Sequence, residues 1–188
     1  MNGVLQRGDI APLNANGHNF PGVKLDLSGS LVNYAGIFRP NLACLALNNG
    51  GELLHETDWA AVQSPDRAVL ITKSCAEVDM SDVAIITPNS VNPGIAALYF
   101  GFTLPEGHTL QGANSVKCTL SVTGYGDGGR ELGSFTINGL DGHRGAVLVG
   151  LLRGMGLWHA QMVGVPTAAA MNAAQLQVIS RECLLSVQ

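Results

Sequence analysis

Val116-Lys117-Cys118-Thr119-Leu120-Ser121-Val122 places apolar and polar side chains at alternate positions. Successive side chains of an extended backbone point to opposite faces, so a period of two predicts a strand with one dry side and one wet side. Val23-Lys24-Leu25-Asp26-Leu27-Ser28 repeats the pattern. Outward from these two lie shorter apolar stretches: Leu42 to Leu47, Ala68 to Thr72, Val83 to Thr87, Ile95 to Phe102, Glu131 to Ile137, Ala146 to Arg153 and Leu157 to Val163. Several are apolar at consecutive positions and predict central strands, covered on both faces. Between them stand residues that accept a positive φ: Asn48-Asn49-Gly50-Gly51, Gly124 to Gly129, and Gly154-Met155-Gly156, each read as a turn. One helix is predicted, with Thr167 as its cap and Ala168 to Leu176 as strong helix formers. The expected architecture is mainly β, a two-sheet β-sandwich closed by a short C-terminal helix.

The chain has 188 residues, a formal net charge of −4 and 13% charged residues, which fits a single domain over residues 1–188. Its 46% hydrophobic content supports a sizeable core. No apolar run approaches the roughly 20 residues of a membrane-spanning helix. The opening Met1 to Arg7 lacks the pattern of a secretory leader, so the expected location is the cytoplasm. Nucleic-acid binding needs clustered Lys and Arg whose phosphate contacts release counterions, and here basic residues are few and scattered. Protein partners or self-association are expected instead, since low charge and many apolar groups suit buried interfaces.

Candidate chemistry is sparse. Cys44, Cys75, Cys118 and Cys183 are far apart with no C-x-x-C pair, which predicts buried free thiols rather than a zinc or redox site. His18, His55, His108, His143 and His159 show no metal-binding spacing, and no G-x-S-x-G elbow is present. No catalytic residue is assigned, and a non-enzymatic role is expected. Two groups of carboxylates remain. Glu52, Glu56 and Asp58 read as a solvated strand edge. Glu77, Asp79 and Asp82 belong with a loop read over Ser74 to Ser81, and they are the weak candidates for a calcium site. Calcium takes about six to eight oxygen ligands and favours loops denser in Asp than this one. No cofactor is expected, and calcium only weakly. Tyr99, Phe100 and Phe102 are read as core.

The order of motifs resembles the TerD-like family of tellurite-resistance and stress proteins. Leu5 to Leu13 resembles the family's opening strand, and Gly22 to Leu27 its second. Asp58-Trp59 with Ser64-Pro65-Asp66 is similar to a family segment ending in S-P-D. Ala146 to Arg153, then Gly156 to Gly164, resemble the family's late pair of strands, and the Ala-rich stretch after them has a counterpart too. The resemblance spans nearly the whole chain in collinear order. It implies a β-sandwich that binds calcium through acidic loops, acts in the response to tellurite and other stresses, and has no established catalysis.

One departure bears on mechanism. Where the family carries D-x-D-A-S after a Phe, Phe38 is followed here by Arg39-Pro40-Asn41-Leu42-Ala43. Arg39 puts a cation where a divalent ion would sit, and Asn41 keeps a carbonyl but no charge. Against the family's pattern, a degenerate calcium site is expected. The alternative use of the same sandwich is as a structural subunit of a larger assembly.

Overall fold

The computed structural model describes residues 3–30, 41–58, 60–72, 79–104, 106–111, 115–123 and 129–167. In chain order the strands are β1 (Gly3–Val4), β2 (Ile10–Pro12), β3 (Asn14–Ala15), β4 (His18–Asn19), β5 (Gly22–Ser30), β6 (Asn41–Leu47) and β7 (Leu53–Thr57). They continue as β8 (Val69–Thr72), β9 (Asp79–Ile86), β10 (Ala97–Thr103), β11 (Ser115–Thr123), β12 (Arg130–Ile137), β13 (Gly145–Gly154) and β14 (Leu157–Thr167). A 3-10 turn, Pro88–Ser90, lies between β9 and β10.

The strands form two six-stranded sheets. The first has the order β1-β12-β11-β5-β9-β8, the second β2-β14-β13-β10-β6-β7, and β3 with β4 makes a small hairpin. Alternation dictates which faces meet. In the first sheet Val23, Leu25 and Leu27 sit opposite Val122, Leu120 and Cys118 on one face, while Lys24, Asp26 and Ser28 sit opposite Ser121, Thr119 and Lys117 on the other. The apolar set joins Leu42, Cys44, Leu98, Phe100, Phe102, Leu151 and Trp158 of the second sheet in one buried cluster. A shared cluster of this kind is what makes two sheets a sandwich.

Most turns follow the residues read for them. Asn48 closes the β6–β7 turn with its side-chain oxygen, which accepts the N–H groups of Gly50 at 2.8 Å and Glu52 at 2.9 Å. Met155 and Gly156, at φ 49° and 80°, form a two-residue hairpin between Gly154 and Leu157. Edge strand β7 carries Glu56, with Glu52 just before it and Asp58 just after it.

Two expectations need correction. The loop read over Ser74 to Ser81 ends early, because β9 begins at Asp79 and pairs Asp79 with Ser30, Ser81 with Ser28 and Asp82 with Leu27. Pairing with a strongly alternating neighbour overrides the low strand preference of Asp and Ser. Thr167 is the last residue of β14, opposite Gly145. The helix expected from Ala168 to Leu176 lies outside the described residues, as do Trp59, Cys75, Glu77, Cys183, Arg39 and the loop residues 124–128.

Candidate functional site

Of the acidic candidates Glu77, Asp79 and Asp82, the described two, Asp79 and Asp82, stand on β9. Ser30 ends β5 opposite Asp79, and Asn41 opens β6 opposite Thr103. Asp82 pairs with Leu27, so its side chain turns inward, and it is only 1% exposed. Its carboxylate accepts the backbone N–H of Leu42 at 3.3 Å. A carboxylate buried in a sandwich core is costly unless hydrogen-bonded, and this bond ties β9 of one sheet to β6 of the other. Among the described residues, no three His, Cys, Asp or Glu side chains are grouped to hold a metal ion.

A second constellation sits at the Ser64-Pro65-Asp66 turn. The Asp66 carboxylate accepts the Ser64 hydroxyl at 2.6 Å and the N–H groups of Asn92 at 2.8 Å and Ala68 at 3.1 Å. Partial burial alone would raise its pKa. The Ser64 hydroxyl, the two backbone N–H groups and the neighbouring His55 outweigh that and hold it below the ordinary carboxylate range. Arg153 reaches the same loop, donating to the carbonyls of Val91 at 2.9 Å and Asn92 at 3.2 Å. Its guanidinium lies over Trp158, 4.6 Å from the ring centroid. Trp158 in turn donates its backbone N–H to the Asn19 side-chain oxygen at 2.9 Å and accepts the Asn14 side-chain amide on its backbone carbonyl at 3.1 Å. Asp66, Asn92, Arg153, Trp158 and Asn19 therefore form a continuous clamp on one end of the sandwich.

Nothing in the spacing of Asn14, Asn19 and Asn92 marked them beforehand. Asn92-Pro93-Gly94 carries a turn signal, and Asn92 does accept the Gly94 N–H at 2.8 Å. Its role as the link between Asp66 and Arg153 depends on partners 26 and 61 positions away in sequence.

The two described thiols are poorly suited to act as nucleophiles. Cys44 and Cys118 are free and buried, and burial pushes both thiols up well above the usual range. An open groove of about 670 Å³ runs along the flank between the two sheets, bordered by Gln6, Arg7, Phe135, Ile137, Gly164 and Pro166.

No family model matches the sequence, and neither does any curated protein. Solved structures do match. A homologue of the telluride resistance protein TerD from Streptomyces coelicolor A3(2) superposes with a TM-score of 0.56 over 84% of this chain and 95% of that one, at 12% identity. The chain has a TerD-like fold. SAV2460, a protein of unknown function, shares it with a TM-score of 0.57, 10% identity, and coverage of 80% of this chain and 91% of that one. On the TerD-like fold, the motifs that carried the sequence resemblance do structural work: Ser64 and Asp66 fasten a turn, and Arg153 with Trp158 fastens a hairpin to it.

Proposed function

We propose that this chain is a divergent, non-enzymatic TerD-like protein of the tellurite and stress response, cytoplasmic, acting through contacts with other proteins and with a degenerate calcium site. Asp82 carries the reading. Its side chain is buried and its carboxylate already accepts the Leu42 N–H, an arrangement that joins the sheets. Buried thiols held in the protonated form argue against Cys44 or Cys118 as nucleophiles.

Calorimetric titration of the full chain with calcium tests the proposal. Negligible heat is expected, and Asp82→Asn should lower the melting temperature without altering the titration. A sub-micromolar calcium affinity lost in Asp82→Asn would overturn it. Co-purification from the native host should return soluble stress-response proteins.

A second reading, as an assembly subunit, has its own observation. Strand β7, at a sheet edge among the described residues, exposes Leu53 at 44% and Leu54 at 49%, with Val62 following at 47%, and an edge strand with apolar side chains favours pairing with another chain. Light scattering separates the two: a large ring or filament supports the assembly role, and a monomer removes it.

A further inference from the structure

The groove on the flank of the sandwich is bordered by one strand from each sheet, β12 and β14, and among the described residues each keeps an uncovered stretch of edge. Strand β1 covers β12 only at Gly133 and Ser134, where Ser134 turns its carbonyl to the Leu5 N–H at 2.9 Å. Backbone groups alternate in direction along a strand, so Thr136 presents its own N–H and C=O to that same side. No described residue pairs with them there, and the Thr136 side chain is exposed. Strand β14 is covered by β2 only from His159 to Gln161, and further along it carries Pro166, which has no N–H to offer. Of the two edges, β12 is therefore the one able to accept another strand. Phe135, Ile137 and Gly164 line the space between them, packed so that a Cβ on Gly164 would lie 3.6 Å from the Phe135 ring and 3.7 Å from Ile137.

The N-terminal segment shuts one end of the groove. Leu5 is bonded to Ser134 in the first sheet and Gly8 donates to the Met162 carbonyl in the second at 2.8 Å, so Gln6 and Arg7 cross from sheet to sheet. A strand entering beside Asn138 and pairing along β12 runs into this crossing, where a chain end fits better than a through-going segment. Arg7 decides which end. Its side chain is exposed and borders the groove, and among the described residues it has no ion-pair partner. The nearby Asp9 carboxylate instead accepts the Gln6 backbone N–H at 2.6 Å. A guanidinium at the closed end repels an ammonium group and favours a carboxylate, which it can hold with two parallel hydrogen bonds. A carboxylate end at Arg7 makes the incoming strand antiparallel to β12.

We propose that this groove binds the carboxy-terminal end of a partner polypeptide, extended along residues 134–138 with its terminal carboxylate on Arg7. Main-chain hydrogen bonds to the open edge supply affinity in this mode of recognition, and apolar side chains at alternate positions of the partner meet Phe135 and Ile137. The proposal deepens the reading that the chain acts through contacts with other proteins, and rests on it.

The probe is an array of hexapeptides anchored by their N-termini and built from Val, Ile, Thr and Ser at alternating positions, every sequence being present both as the free acid and as the C-terminal amide. The labelled full chain should bind a subset of the free acids and hold the matching amides about tenfold more weakly, as loss of a charge-assisted hydrogen bond requires. Arg7→Gln should erase the difference between acid and amide. Thr136→Pro, which removes the outward N–H at an exposed position, should weaken both sets. Equal binding of acids and amides by the parent chain, a preference for acids unchanged in Arg7→Gln, or binding to neither set would each overturn the proposal. Should Thr136→Pro fail to fold, Arg7→Gln decides by itself, since Arg7 is exposed and lies outside every described strand. The two readings fail separately: a blank array while host proteins still co-purify with the parent chain removes the groove alone, whereas the protein-contact reading falls when no host protein co-purifies.

Discussion

At the scale of single residues, the carboxylates divide by what they are bonded to rather than by how many stand together in sequence. Asp66 receives three hydrogen bonds that favour its charged form, and its pKa is held low. A depressed carboxylate pKa contributes stability above the unfolded value of about 4, and that contribution is lost as pH falls through the lower folded value. Melting temperature should therefore decline from about pH 5 downward, and Asp66→Asn should flatten that part of the profile while lowering stability at neutral pH by about 1.5–3 kcal/mol, the range for hydrogen bonds to a charged group. Differential scanning calorimetry across pH checks both parts. Glu56 works in the opposite sense, because burial and then the neighbouring Asp58 raise its pKa, so its contribution is lost as pH rises. None of this was legible beforehand. Asp82 looks like a loop acid in sequence, and its inward aim depends on pairing with Leu27, 55 positions earlier.

At the scale of elements, alternation carried the reading wherever one face of a strand is wet. Strands β5 and β11 announce themselves because Lys24, Asp26, Lys117 and Thr119 interrupt the apolar positions. Strands β10 and β13 do not, since a continuous apolar run has no phase: Tyr99 was read with Phe100 and Phe102 as core, and all three are buried, yet Tyr99 packs on the opposite side of its sheet. Turn chemistry was more legible, and the β13–β14 hairpin shows what it still lacks. Met155 occupies a left-handed position, φ 49°, with its side chain fully exposed, so it has strain and no packing to offset it. Met155→Asn, giving the Asn-Gly pair that suits this turn, should stabilise the protein by about 0.5–1 kcal/mol. Chemical denaturation should show a higher midpoint with an unchanged slope; an unchanged midpoint would mean that the turn is not strained.

For the whole molecule, the continuity of the shared core decides how it comes apart. Leu25, Leu27, Cys118 and Leu120 of the first sheet belong to the same buried cluster as Phe100, Phe102, Leu151 and Trp158 of the second, so neither sheet keeps a dry face if the other leaves. The Asp82 bond to Leu42 and the Asp66–Asn92–Arg153 clamp tie the sheets and loops together at separate places along that core. Loss of one sheet would expose the other and release both ties, which predicts a single cooperative transition in which tryptophan fluorescence and far-ultraviolet circular dichroism coincide. Phe100, 0% exposed and paired between Cys44 and Val149, sits in the middle of this core. Phe100→Ala should lower stability by about 3–5 kcal/mol through lost burial and the cavity left behind, and move the melting temperature down by roughly 10 °C. The transition should shift as one. Were the two probes to separate in Phe100→Ala, the sheets would be independently stable, and the sandwich would have to be held by its ends rather than by its core.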